Sequence, residues 1–235
     1  MKRNTDYKND DLAGLKGNWG KAVLATVIYM VIVYIAMGPY LTQSFKFQAA
    51  MTAAGGAMDA QVLLSEMSTL YGYLGLYWLF VIFLIAPLMV GFTNAHRLLL
   101  VQGDREIPTN MYKMATTGYW HKVWGMFLMS VFIFLWSLLF VIPGIIKAFS
   151  YAMTPYILEE HPELTANEAI DHSRAMMKGH KFDLFWLYLS FIGWGILCIF
   201  TLGIGLLWLV PYMQTAQSSF YEDVKADYEA NGGLI

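Results

Sequence analysis

The chain contains one cysteine, Cys198, in 235 residues. That excludes an internal disulfide and a metal site built from several thiolates. Cys198 stands between Leu197 and Ile199 in an apolar run, where a small buried residue is the simplest reading. Charge is scarce as well: 14% of the residues are Asp, Glu, Lys or Arg, against about 25% in an ordinary soluble domain. No basic tract or aromatic RNA-binding pattern occurs, and a net charge of −2 gives no electrostatic case for nucleic acid. A Walker loop, a dinucleotide fingerprint, a haem motif and His-Glu-x-x-His are all missing, so no cofactor or catalytic metal is implied.

Long apolar runs stand in their place, and hydrophobic residues make up 57% of the chain. No charged residue occurs between Lys122 and Lys147, a stretch long enough to cross a bilayer core, which takes about 20 apolar residues. Six spans are read at 22–38, 73–93, 123–141, 145–158, 182–201 and 205–220. The first follows a polar N-terminal segment and is longer than a signal-peptide core, with no small-x-small cleavage site, so it reads as an uncleaved span. The fourth is short and carries Lys147, Ser150, Tyr151, Thr154 and Pro155; the sixth turns polar halfway, at Gln214.

The basic residues sort these spans. Lys2, Arg3, Lys8, Lys16 and Lys21 precede the first, and Arg97, Arg105, Lys113 and Lys122 separate the second from the third. Arg174, Lys178 and Lys181 separate the fourth from the fifth, and Lys225 follows the sixth, leaving only Lys46 and Lys147 elsewhere. Like-charged loops share one face when there are six crossings and both termini are cytoplasmic. On the outer side, Ile142-Pro143-Gly144 and Leu202-Gly203-Ile204-Gly205 are tight turns that force hairpins. The outer connection 39–72 is long, is broken at Gly55-Gly56, and predicts a short helix over 57–70 with Met58, Val62, Leu63 and Met67 on one face. Packing against the span ends is the plain reading of that helix; a lid is the functional one.

Features recur three times. Gly17-Asn18-Trp19-Gly20-Lys21 and Gly118-Tyr119-Trp120-His121-Lys122 share a Gly-x-Trp-x-Lys spacing ahead of the first and third spans, and Gly179-His180-Lys181 opens the fifth. Each glycine follows a short amphipathic stretch. Over 165–179 the fit is fullest: Thr165-Ala166-Asn167-Glu168 forms a capping box, Gly179 a stop, and Ala169, Ile170, Ser173, Met176 and Met177 one face. Such helices read as lying along the inner leaflet. Pro87, Pro143 and Pro211 start or kink the even spans, which then turn polar at Thr93 and Asn94, at Ser150 and Tyr151, and at Gln217, Ser218 and Ser219. The expected fold is all-α: a polytopic membrane bundle of six helices in three hairpin repeats, 1–107, 108–163 and 164–235, forming one membrane domain with inner-leaflet amphipathic helices.

Residues 141–153, Thr154-Pro155-Tyr156, Leu164 to Ile170, Ser173 and Met177-Lys178-Gly179, with Leu15-Lys16-Gly17-Asn18-Trp19 upstream, resemble the core signature of the bacterial domain-of-unknown-function 975 family of integral membrane proteins. The resemblance implies a bacterial six-helix protein of the cytoplasmic membrane, distantly similar to the membrane domain of some glycerophosphodiester phosphodiesterases. It brings no catalytic residues, and the chain has no phosphodiesterase catalytic domain.

Polar side chains in hydrocarbon are tolerated when they face partners or water. Asn94, His96, Lys147, Ser150, Tyr151, Gln214, Gln217 and Ser218 are therefore the candidate cavity or ligand-binding residues, arranged around a hydrated space open to the cytoplasm. Lys147, three residues past Gly144, either snorkels to the outer interface or faces Tyr151 one turn on. His96 and Arg97 anchor the second span at headgroup level or contact a lipid phosphate, and Asp183 is expected to pair with Lys181 or Arg174. Glu168 and His172 share a helical face, but the capping box accounts for Glu168. Ser218 and Ser219 lack a base within their span, which argues against a hydrolase.

Three functions follow. The first is a non-enzymatic membrane protein whose cavity binds or moves a lipid or small amphipathic solute, in transport, envelope maintenance or protection. The second is a scaffold recruiting an unidentified protein partner through its amphipathic helices. The third is a lipid-modifying enzyme using the inner-loop His161, His172 and acidic residues.

Overall fold

Apolar residues outnumber what a folded interior can hold, and the structure leaves many of them on the outside. A computed structural model describes residues 4–55 and 59–233 and is helical throughout, with no strand among the described residues. Lys2, Arg3, Gly56 and Met58, which carried part of the reading above, lie outside the described residues. Among the described residues twelve α-helices follow in order: α1 Asn4–Leu15, α2 Trp19–Ala53, α3 Ala60–Phe80, α4 Ala86–Gln102, α5 Ile107–Thr116, α6 Tyr119–Leu139, α7 Val141–Ser150, α8 Thr154–Glu160, α9 Ala166–Met176, α10 Lys181–Leu189, α11 Ile192–Phe200 and α12 Leu206–Ala230. Among the described residues, five stretches are long and apolar enough to cross a membrane: Trp19–Ala53, Ala60–Gln102, Tyr119–Leu139, Val141–Glu160 and Lys181–Phe200. Leu202 is 94% exposed and Phe200 81% exposed, with Phe140, Val141 and Ile142 similarly bare. Surfaces of that kind need lipid rather than water around them.

The described chain forms two compact units. In the smaller, Tyr29–Ile85, the later part of α2 and α3 meet as an antiparallel pair: Tyr40 stacks on Tyr77 at 6.5 Å, and Gln43 Nε2 donates to Glu66 at 3.3 Å. The expected end of the first span at Pro39 is not an end. Residues 40–54 contain neither glycine nor proline, so nothing stops the helix, and α2 runs for 35 residues, about 52 Å at 1.5 Å per residue. The short outer helix expected over 57–70 is likewise only the start of α3, capped by Asp59, whose carboxylate accepts from the Gln61 N–H at 2.9 Å. One wide π-helical turn, Val81–Ile85, joins α3 to α4, and Pro87, which has no N–H to give the preceding turn, follows it.

The larger unit, the chain up to Ile28 together with the chain from Ala86, holds most of the core. Pro143 and Gly144 do not form the α6–α7 turn; the chain reverses at Phe140 alone, and both residues fall within the first turn of α7. A proline there loses no hydrogen bond. Gly144 lets α6 come close, since a Cβ would sit 2.1 Å from Ser137 Oγ. Two of the expected single spans are each two helices. The fourth breaks at Tyr151–Met153, where Pro155 opens α8. The fifth breaks at Ser190 and Phe191, where Ser190 Oγ donates to the Leu187 carbonyl at 2.6 Å and the Ser190 carbonyl accepts from Lys8 Nζ at 3.0 Å.

Three short helices, α1, α5 and α9, are followed by glycines at positive φ, Gly17 (80°), Gly118 (60°) and Gly179 (97°), and then by a new helix. This left-handed conformation costs glycine little and lets the chain turn sharply. The apolar faces of α5 and α9 are covered by protein: Ile107, Met111 and Ala115 are buried on one, and Ala169, Ile170, Ser173 and Met176 on the other. Gly91 makes the α4–α5 contact possible, because a Cβ there would lie 2.1 Å from the Met111 carbonyl oxygen and 2.9 Å from the Ala115 nitrogen. Gly91→Ala is expected to lower stability by about 2 kcal/mol, the usual cost of overpacking. Gly20→Ala, with open space around it, is expected to be neutral. Thermal unfolding in detergent compares the two.

Candidate functional site

Several charged side chains of the larger unit meet in one network of ion pairs. The Arg97 guanidinium of α4 reaches two carboxylates, with Nη2 on Glu160 of α8 and Nε on Glu222 of α12. Glu160 also accepts from the Tyr221 hydroxyl and from Lys225 Nζ at 3.0 Å. Arg97 and Lys225 balance Glu160 and Glu222, so the group carries no net charge. Beside it, Lys122 of α6 pairs with Glu159 and donates to the Met114 and Thr117 carbonyls. Its side chain is only 4% exposed, which is tolerable because it is paired with a carboxylate and hydrogen-bonded to two carbonyls. Tyr156 stacks on Tyr221 at 4.4 Å and 9°, with its hydroxyl 3.3 Å from Ser218 Oγ. Tyr7 of α1 donates to Asp223 at 2.6 Å. This clamp joins α1, α4, α6, α8 and α12.

The second feature is an open pocket of about 280 Å³ lined by Phe132, Trp136, Lys147, Tyr151, Asn167, Ile170, Asp171 and Arg174. Its existence depends on the break between α7 and α8. There the Ser150 carbonyl and the Met153 N–H are bound by one side chain: Ser173 Oγ donates to the former at 3.0 Å and accepts from the latter at 3.1 Å. That bond seats α9 against the break and brings Asp171 and Arg174 beside Lys147. Lys147 Nζ lies 4.4 Å from the Trp136 ring centroid and 5.9 Å from that of Tyr151, within cation–π range. Arg174 pairs with Asp171 at 3.0 Å on the more exposed side.

The eight candidates fall into different settings. Lys147 and Tyr151 line the pocket, so Lys147 is grouped with the α9 residues and does not stand alone near the outer turn. Ser150 supports the pocket through its carbonyl, while its hydroxyl donates to Ile146. Asn94 is buried, with Nδ2 donating to the Pro155 and Val90 carbonyls at 3.0 Å. His96 is buried with Nδ1 2.8 Å from the Phe92 carbonyl. Ser218 joins Tyr156, and Gln214 and Gln217 are half-buried on α12. Asn94 Oδ1, His96 Nε2, Thr154 Oγ1 and Gln214 Nε2 are buried with no protein partner. Arg97 contacts Glu160 and Glu222, and Asp183 faces His180 at 3.5 Å instead of Lys181 or Arg174. His161 pairs with Glu163, and among the described residues no three of His, Cys, Asp and Glu converge on a metal position. Trp136, Asn167, Asp171 and Arg174 were missed as site residues. The i, i+3 spacing of Asp171 and Arg174, on the flank of the face that carries Ile170 and Ser173, was the available signal.

Residues 138–228 match the family model described as a protein of unknown function, DUF975. The match covers residues 141–179, the larger part of the resemblance read from the sequence. No curated protein and no solved structure matches the chain. The DUF975 stretch supplies Lys147, Tyr151, α9, Glu160 and Tyr221; Arg97, Lys122 and Trp136 come from outside it.

Two predictions follow. Removing one member of a buried pair strands the other charge, which typically costs about 3–5 kcal/mol. Arg97→Gln is therefore expected to lower the unfolding temperature sharply, and Arg97→Lys is expected to recover only part of the loss, because an ammonium lacks the fork that reaches both glutamates. The second concerns α9. The Thr165 N–H at 2.7 Å holds the exposed Glu168 carboxyl below its ordinary range, and the Thr165 hydroxyl adds to the effect. A depressed acid contributes stability above its unfolded pKa and loses it as pH falls through the folded value. Hydrogen exchange of the first turn of α9 is expected to lose protection below the ordinary glutamate pKa of about 4.3, and Glu168→Gln is expected to remove most of that pH dependence.

Proposed function

We propose that the chain is a non-enzymatic integral membrane protein that binds or moves a lipid or small amphipathic solute through a polar recess open to the cytoplasm. The observation that carries this reading is the pocket around Lys147. It sets Lys147 against the Trp136 and Tyr151 rings and adds the Arg174–Asp171 pair beside them, next to helices α6 and α7 that are otherwise apolar outside. Ionisable groups on membrane helices mark ligand paths by default.

In this reading α12 supplies a sixth crossing. Its apolar first half continues into Thr215, Ser218 and Ser219, which are buried against protein and hence shielded from lipid. Six crossings place both termini, Lys113 and Lys178 in the cytoplasm, and the three helix–glycine–helix units are the repeat. Thiol labelling of Cys198→Ser protein carrying Lys113→Cys or Lys178→Cys, in sealed cells, is expected to find both shielded from impermeant reagent. Mass spectrometry of gently purified protein is expected to find a retained amphipath that Trp136→Ala and Tyr151→Ala release. A preparation that retains nothing, in wild type as in the variants, counts against the binding function.

A further inference from the structure

We propose that the Lys147 pocket recognises one singly charged phosphodiester headgroup, borne on an apolar tail that lies along α6 and α7. The proposal rests on the binding reading above and names the ligand chemistry.

Charge accounting points to an anion. Arg97, Lys122 and Lys225 are each matched to a glutamate. Lys147 is different: its contacts are the faces of Trp136 and Tyr151, and among the described residues no carboxylate lies within ion-pair distance of it. Aromatic faces attract a cation without neutralising it. Arg174 is the second cation of the lining, and it pairs with Asp171 at 3.0 Å. Of the charges lining the pocket, Asp171 cancels one of the two cations, which leaves a single positive charge to be met. A monoanion fits that balance; the second charge of a phosphate monoester would approach Asp171 unpaired.

Donor geometry points to an oxyanion. Lys147 and Arg174 approach from different helices, and the Arg174 side chain is 55% exposed, so its fork can turn from Asp171 toward a ligand. An ammonium and a guanidinium together offer more donors than one oxygen can accept, and a phosphodiester presents two charge-sharing oxygens to them. Asn167 adds a neutral polar group at the rim. The walls point to the tail. Phe132, Trp136 and Ile170 line the apolar side, and Phe134, Leu135, Ile145 and Ile146 continue it as exposed surface on α6 and α7.

The test is native mass spectrometry of the protein titrated with phosphatidylglycerol and, separately, with diacylglycerol of the same chains, which lacks the phosphodiester. Phosphatidylglycerol is expected to bind the more tightly. Lys147→Gln is expected to weaken it about tenfold, in line with the loss of one charge-assisted hydrogen bond. Lys147→Arg should retain binding, and unchanged thermal unfolding of ligand-free Lys147→Gln confirms that its fold is intact. Arg174→Gln should weaken binding by a smaller factor. Excess dimethyl phosphate separates the sources: failure to displace the lipid assigns the site to a membrane headgroup, and displacement assigns it to the phosphodiester itself, free or lipid-borne. Equal affinity for the two lipids, or indifference to Lys147→Gln, overturns the anion assignment while leaving an amphipath pocket. Absence of saturable binding by either lipid removes the pocket reading as well.

Discussion

Buried charge is the constraint from which the larger unit takes its shape. Helices surrounded by lipid gain little from burying apolar surface against one another, because the tails outside are as apolar as leucine. Directional contacts must then decide register. Here they are concentrated where Arg97 meets Glu160 and Glu222 and where Lys122 meets Glu159. Each of these charges would be costly alone in a low-dielectric interior, so α4, α6, α8 and α12 are held in the one alignment that neutralises them all. The stacked Tyr156 and Tyr221 rings pack against the same group, with the Arg97 guanidinium 5.3 Å from the Tyr221 ring centroid. Pairings this specific disfavour slippage between helices that apolar packing alone would permit.

The pocket is a consequence of the same alignment. Fixing Glu159 and Glu160 fixes α8, a helix of seven residues, and therefore fixes the point where the chain must break to join α7. A break frees backbone groups, which cannot remain unpaired away from water. Ser173 answers two of them, and its helix is seated by doing so. Asp171 and Arg174 are carried to Lys147 by that seating. A polar recess beside Trp136 and Tyr151 thus arises from the way the structure repairs an interrupted membrane helix.

Much of this was legible in the chain. The apolar run between Lys122 and Lys147, the capping box at Thr165 and the glycine stops at Gly17, Gly118 and Gly179 are local signals, and the structure has them where local chemistry puts them. The buried stripe of α9 was also readable from its spacing. Non-local outcomes were less so. The helix passes through Pro39 because no residue beyond it stops the run, whereas hydropathy reads the change to polar side chains as an end. The fifth span breaks at Ser190 partly because Lys8, distant in sequence, binds its carbonyl. Arg97 was legible as an interfacial cation, but its partners lie 63 and 125 residues away, and no periodicity reports such a pairing. The pocket combined both cases: Lys147 stood out as a lone charge, while Arg174 reached it only through the Ser173 contact.

The central claim is that the Arg97–Glu160 contact, and not apolar packing alone, sets the helix register. A double-mutant cycle tests it most directly, with Arg97→Gln, Glu160→Gln and the pair compared by equilibrium unfolding in the same detergent. The account predicts that the double variant is more stable than the sum of the two single losses implies, with a coupling of about 2 kcal/mol or more, as close pairs in one ion network show. Simple additivity of the two losses would mean that the residues do not act through each other, and the clamp would lose its place as the organising contact.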